Sequence, residues 1–222
     1  MNRKKRIKEI ADYILKLNLT HPIRVGVSGI TASGKTTFAN ELAEEIKKRR
    51  LPVTRASIDD FHNPRAVRYA KGKESAKGYY EDAHDYTAFK ERLLKPLGLN
   101  GNLQYETISH NLITDMPVHN KPLVATQNMI LIVDGTFLLK KDVEYLFDYK
   151  IFVDTDFEIR RKRGAKRETE AFGSYEEAKK MFLNRYHAAC KVYIDEHNPK
   201  SCADVIFRNN NFDDPVIVFK EI

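Results

Sequence analysis

The run Gly29-Ile30-Thr31-Ala32-Ser33-Gly34-Lys35-Thr36 fits the pattern G-x-x-x-x-G-K-[ST] at every fixed position. Its chemistry is that of a polyphosphate cradle. Glycines let the backbone turn tightly and bring successive N–H groups toward phosphate oxygens, and a helix opening at Thr37 turns its positive end to the same anion. Lys35 adds a mobile positive charge, and the Thr36 hydroxyl is a hard oxygen ligand suited to Mg²⁺. Two carboxylates can complete such a site. Asp59, with Asp60 beside it, can take the proton of an attacking hydroxyl or hold the water shell of the metal. Asp134 can orient a water on the same ion. In Arg160-Arg161-Lys162-Arg163-Gly164-Ala165-Lys166-Arg167, helical spacing sets Arg160, Arg163 and Arg167 on one face, where guanidinium groups converge on a migrating phosphoryl group.

These groups work only if regular elements bring them together. Residues 3–18 have apolar positions near helical spacing and predict a helix leading into a strand at 23–28. Residues 37–50 predict the helix after the cradle, with Phe38, Leu42 and Ile46 on one face. Pro52 then separates it from a strand at 53–58 whose carboxyl end carries Asp59. Residues 62–82 are polar and without period, and predict a long surface loop over the site. A helix follows at 85–97. Residues 100–128, with turns at Asp115-Met116-Pro117 and Asn120-Lys121-Pro122, predict a small β-hairpin insertion that walls a substrate pocket. The apolar runs 129–133 and 150–153 predict central parallel strands ending at Asp134 and Asp154. Residues 174–195 predict a long helix, and 203–207 a last strand before the polar loop 208–214. Strands alternating with helices predict one α/β domain over residues 1–222, with a mainly parallel five-stranded sheet covered on both faces.

Composition narrows the function. The chain has 222 residues, 42% hydrophobic, which suits one domain with a sizeable core. No apolar run approaches the roughly 18 residues that span a bilayer, and residues 1–8 are basic without the apolar stretch of a secretion signal, so a cytoplasmic location and no membrane partner are expected. Cys190 and Cys202 are two thiols without metal-ligand company, which predicts reduced, non-structural cysteines. The net charge of +7 raises nucleic acid as a partner. Acidic residues are interspersed throughout, however, and no aromatic-basic stacking motif is visible, so a small polyphosphate is the expected anion. The basic start at 2–8 reads as a solvated helix end. Association into a homo-oligomer stays open.

In order and spacing, the motifs resemble the uridine kinase and phosphoribulokinase-like branch of P-loop kinases, uridine-cytidine kinases in particular. The residues that carry the resemblance are Gly29 to Thr37, Ser57-Ile58-Asp59-Asp60-Phe61-His62, Asp82-Ala83-His84-Asp85-Tyr86, Tyr105 to His110, Asp134-Gly135, Asp154-Thr155-Asp156, Arg160 with Arg163 and Arg167, and Ala203-Asp204-Val205-Ile206. The resemblance implies a P-loop NTPase fold with an arginine-rich lid at 156–172, and phosphoryl transfer from ATP or GTP with Mg²⁺. The acceptor it implies is the 5′-hydroxyl of a pyrimidine ribonucleoside. It further implies Asp59 as general base, Asp82 on a ribose hydroxyl, Tyr105 and His110 on the base, His62 beside the substrate, and Arg160, Arg163 and Arg167 closing over phosphates. There are departures. His62 replaces a usual Tyr, Asp134 a Glu, Glu168 a usual Asp, and Asn184-Arg185-Tyr186 lacks a glutamine that helps hold the base. Another small alcohol (a sugar, a phosphosugar or pantothenate) is the alternative acceptor. A nucleotide-dependent switch that binds nucleic acid is a more distant reading.

Overall fold

The chain is described here by a computed structural model covering residues 2–220. Among these residues the main sheet is built from β1 (Ile23–Gly29), β2 (Val53–Ser57), β7 (Ile130–Gly135), β8 (Tyr149–Asp154), β9 (Val205–Arg208) and β10 (Val216–Phe219), in the order β10-β9-β8-β1-β7-β2. It has six strands where five were expected. The additional one, β10, pairs antiparallel with β9 at the edge; every other neighbour pair is parallel. The last strand expected was the one at 203–207, and β10 lies beyond the polar loop that follows it. β1 and β7 are buried along nearly their whole length, and β7 accordingly runs apolar from Ile130 to Val133 without alternation.

Helices α1 (Arg3–Ile14) and α2 (Lys35–Lys47) cover one face of the sheet. The apolar stripe of α1, Ile7, Ile10, Ala11 and Ile14, is shut away from water against Phe38, Leu42 and Ile46 of α2. Truncating Ile10 to Ala there costs about 2–5 kcal/mol. The basic start of α1 is not wholly solvated as expected. Arg3 is buried, paired with Glu41, and its Nη1 donates to Asn209 Oδ1 at 2.8 Å.

The expected loop at 62–82 contains two short helices, α3 (Arg65–Arg68) and α4 (Ala76–Asp82), the second capped by Ser75. Next comes α5 (Tyr86–Ala88), which widens into a π-helical turn at Phe89–Leu94. The insertion forms two small nested ladders, β3 (Gln104–Tyr105) with β6 (Leu123–Val124), and β4 (His110–Asn111) with β5 (Met116–Pro117). The basic run is α6 (Phe157–Arg167). The long helix expected at 174–195 is present as α7 (Tyr175–Met181), a π-helical turn at Phe182–His187 and α8 (Ala188–His197), with α9 (Pro199–Cys202) leading to β9. These elements pack on the second face of the sheet around Phe61, Phe89, Phe137 and Tyr193. Both cysteines are free thiols. None of the described helices is long and apolar enough to cross a membrane.

Candidate active site

The phosphate loop leaves the carboxyl end of β1 at the middle of the sheet, where open α/β sheets place their ligands. Ala32 (φ 65°) and Gly34 (φ 91°) take left-handed backbone conformations that curl the loop into a concave nest before α2 begins at Lys35. Gly29 is needed for close approach, since a Cβ there would lie 2.6 Å from Ser33 Oγ and 2.7 Å from the Val153 carbonyl. Asn209, just past β9, buttresses the nest by donating from Nδ2 to the Ser33 carbonyl at 2.8 Å, and Thr155 Oγ1 donates to the same oxygen at 3.0 Å. The asparagines at 209–211 thus include a structural brace for the loop, tied back through Arg3 to α1.

Lys35 and Thr36 open onto a cleft of about 380 Å³ that Asp59 and His62 also line. Phosphate loop and neighbouring acid therefore face one cavity. Among the described residues Lys35 makes one weak hydrogen bond, Nζ to the Ile30 carbonyl at 3.5 Å. Burial pushes its pKa down, and the nearby charges of Asp59 and Asp134 work in the opposite direction. Such an ammonium is matched to an incoming anion. Asp134 is the register partner of Val27 on β1 and of Ser57 on β2, so it reaches the floor of the site. Its Oδ2 accepts from Thr36 Oγ1 at 2.6 Å and its Oδ1 pairs with Arg55 at 2.5 Å. Hydroxyl and carboxylate oxygens so arranged fit a hard divalent cation such as Mg²⁺.

Asp59 follows β2 in a one-turn helix capped by Ser57. About two-thirds of its side-chain surface reaches the water of the cleft. Desolvation by the surrounding walls opposes its charge, but the hydrogen bond and charge of His84, then His62 and Lys35, prevail and hold the carboxyl well below the usual range. His84 Nε2 approaches Asp59 Oδ1 at 3.4 Å, and His62 Nδ1 donates to the Asp59 carbonyl. Burial, reinforced by His84, lowers the His62 pKa to about 4, against the pull of Asp59, so the ring is neutral at physiological pH. Asp60 moves the other way, raised by burial and then by Asp59 and Asp134.

Several expected site residues are placed elsewhere. Tyr105 is buried, with its hydroxyl 2.9 Å from Thr54 Oγ1, outside the cleft lining. His110 is buried too and faces Asp115 Oδ1 at 3.0 Å. Asp82 ends α4 with its carboxylate held by Lys71 at 2.7 Å, while its neighbour Ala83 reaches the cleft. Of the three arginines expected at the site, Arg167 lines the cleft. Arg160 is buried over the Phe157 ring, and Arg163 donates to the carbonyls of Asn209 and Asn210 at 3.1 and 3.0 Å. The three do share one face of α6, but that face packs partly inward, with Gly164 against Phe182, so they do not converge on the cleft. In their place the cleft holds Arg68, Tyr69, Tyr79, Arg185 and Tyr186. The expected loop at 62–82 hid the first three, and a helix drawn straight through 174–195 hid the π-turn that carries Arg185.

A family model described as phosphoribulokinase / uridine kinase matches residues 24–214. The chain belongs to that family. It is an ATP-dependent kinase with the P-loop kinase fold. It is 27% identical over 190 residues to the uridine kinase of Clostridium tetani, covering 83% of this chain and 86% of that one. With the uridine-cytidine kinase A of Dictyostelium discoideum it shares 28% identity over 201 residues, 87% of this chain but 37% of the relative's length. A solved structure of a possible uridine kinase from Bacillus stearothermophilus superposes with a TM-score of 0.71 at 24% identity, covering 91% of this chain and 97% of the other.

Proposed function

We propose that the chain transfers the terminal phosphoryl group of ATP to a hydroxyl of a small alcohol bound in the cleft between the phosphate loop and Asp59. The observation that carries this reading is that Lys35, Thr36 and Asp59 line one cavity. Backbone N–H groups of residues 29–37 bind the phosphates, Lys35 supplies charge, and Arg167 closes from α6. Thr36 and Asp134, with Asp59 nearby, are the residues suited to hold Mg²⁺, which when bound neutralises charge on the outer phosphates. Asp59 accepts the proton of the acceptor hydroxyl as the O–P bond forms. A carboxylate held ionised beside His84 is ready for that task, and proximity within the cleft supplies much of the rest.

For the acceptor, the names of the relatives favour uridine or cytidine, phosphorylated on the 5′-hydroxyl. The lining residues favour a second reading, a different small alcohol, because Tyr105, His110 and Asp82 stand outside the cleft. Purified protein with Mg-ATP and either nucleoside, followed by ADP release and by chromatography of the product, decides between them. Formation of UMP or CMP supports the nucleoside. ADP release with other alcohols and none with nucleosides supports the second reading. Failure to bind Mg-ATP at all overturns both.

A further inference from the structure

We propose that the acceptor half of this cleft is built for an anion: the alcohol phosphorylated here carries a carboxylate or phosphate group, held by Arg68 and Arg185. The inference rests on the phosphotransferase reading of the same cleft and names its substrate class. Arg68 comes from α3 and Arg185 from the π-helical turn, yet both line the cavity, each only 8% exposed. Each also leaves its Nε buried without a hydrogen-bond partner. Among the described residues no carboxylate stands within ion-pair distance of Arg185. Its company is aromatic, with Tyr79, Tyr186 and Tyr69 ring centroids at 5.1, 5.3 and 5.6 Å.

The acids that could neutralise these guanidinium groups are already engaged. Asp115 lies 3.5 Å from Arg68 but also faces His110 at 3.0 Å and accepts from the Arg65 backbone N–H at 3.0 Å. Glu168 is held by Arg167 at 2.8 Å, and Asp59 by His84. Arg68 shares its acid with two other partners, and Arg185 is a buried cation with no carboxylate in ion-pair distance among the described residues, which is costly unless a ligand brings the opposite charge. A neutral nucleoside brings none. The planar guanidinium fork matches carboxylate and phosphate oxygens pairwise, and rings packed around Arg185 fix the orientation of that fork before the ligand arrives. A π-turn breaks the regular helical register at Phe182–His187, a distortion common at functional sites.

The test uses matched pairs that differ in the anionic group: glycerol with glycerate, and ribose with ribose 5-phosphate, alongside uridine. Each is titrated calorimetrically into protein saturated with Mg²⁺ and a non-hydrolysable ATP analogue, and each is assayed for ADP release with Mg-ATP. The expected result is that an anionic member binds about 100-fold more tightly than its neutral twin, equal to about 2.8 kcal/mol at 1.4 kcal/mol per tenfold. Which pair responds tells carboxylate from phosphate. Arg185→Met should erase that preference and Arg185→Lys should keep part of it, both with analogue affinity within about twofold of the unchanged protein. Three results overturn the inference: equal binding within both pairs, uridine bound more tightly than either anion, or a loss of analogue affinity in Arg185→Met that assigns the arginine to ATP. The kinase reading fails separately, through absent binding of the analogue itself.

Discussion

Replacing Asp59 by Asn separates catalysis from stability in this chain. The substitution keeps the shape of the side chain and an oxygen able to accept from His84, but removes the group that takes the acceptor proton. General-base assistance is worth about 10²–10⁴ in rate, or about 3–5 kcal/mol of barrier. The folded state loses far less. The side chain is two-thirds exposed and its approach to His84 is long, at 3.4 Å, so the pair contributes about 0–1 kcal/mol after solvent screening. At about 2–4 °C per kcal/mol for a domain of this size, Tm should move by no more than about 4 °C. Coupled detection of ADP with a working acceptor, thermal denaturation and calorimetry with Mg-ATP give the three readings. The expectation is kcat reduced at least 100-fold, Tm nearly unchanged and ATP affinity within about threefold. A fall in kcat of less than tenfold would refute the assignment of the base. So would a loss of ATP affinity as large as the loss of rate, since Asp59 would then be acting through the nucleotide and its metal.

Lys35→Met should raise the Tm of the ligand-free protein slightly, because a partly desolvated ammonium with a weak 3.5 Å contact is removed. It should also abolish the thermal shift that Mg-ATP produces, which for the unchanged protein is worth about 2.7 kcal/mol at a hundred times Kd. Arg55→Met leaves the buried Asp134 carboxylate without its cation. Since Arg55 is itself partly exposed, urea titration should show a loss of about 2–3 kcal/mol, at or below the lower end for a fully buried pair. His187 is buried beside Arg160 and Arg161, and its pKa is lowered to about 4 by burial first and then by those charges. It is neutral when folded but takes a proton near pH 6.5 when unfolded, so its contribution is intact above pH 6.5 and lost between there and pH 4, by up to about 3 kcal/mol. Urea midpoints measured across that window should fall with pH, and His187→Gln should flatten the fall. Gly34→Ala forces a side chain into φ 91° and sets its Cβ 2.6 Å from Asn209 Nδ2. A cost of about 1–2 kcal/mol and a weaker ATP affinity should follow, measured by denaturation and calorimetry.

The parts of the site legible in the sequence are those whose geometry is local. The phosphate loop carries its own turn chemistry, Asp134 lies at the end of the apolar strand β7 and Asp59 just past the end of β2, so strand pairing brings both to the carboxyl edge beside Lys35. Residues on inserted or docked elements were not legible in the same way. Whether Tyr105 meets a substrate or Thr54 depends on how β3 seats against the sheet, and whether Arg163 meets phosphate or the carbonyls of Asn209 and Asn210 depends on the roll of α6. Arg68 and Arg185 had no spacing signal. They sit in a polar stretch and in a helix that reads as regular, and only packing brings them together. The antiparallel edge strand β10 is a different case: Val216-Ile217-Val218-Phe219 is a run of strand formers, but only its pairing with β9 shows that it joins the main sheet.

The central claim is that the cradle at 29–37 and the carboxylate of Asp59 serve one reaction across one cleft. A crystal structure with Mg²⁺, a non-hydrolysable ATP analogue and the acceptor that supports turnover tests it most directly. The account predicts the outer phosphates in the loop beside Lys35 and Thr36, with the reacting hydroxyl oxygen about 2.6–3.2 Å from an Asp59 oxygen. A triphosphate seated away from the loop, or an acceptor hydroxyl turned away from Asp59 toward another base, would contradict it.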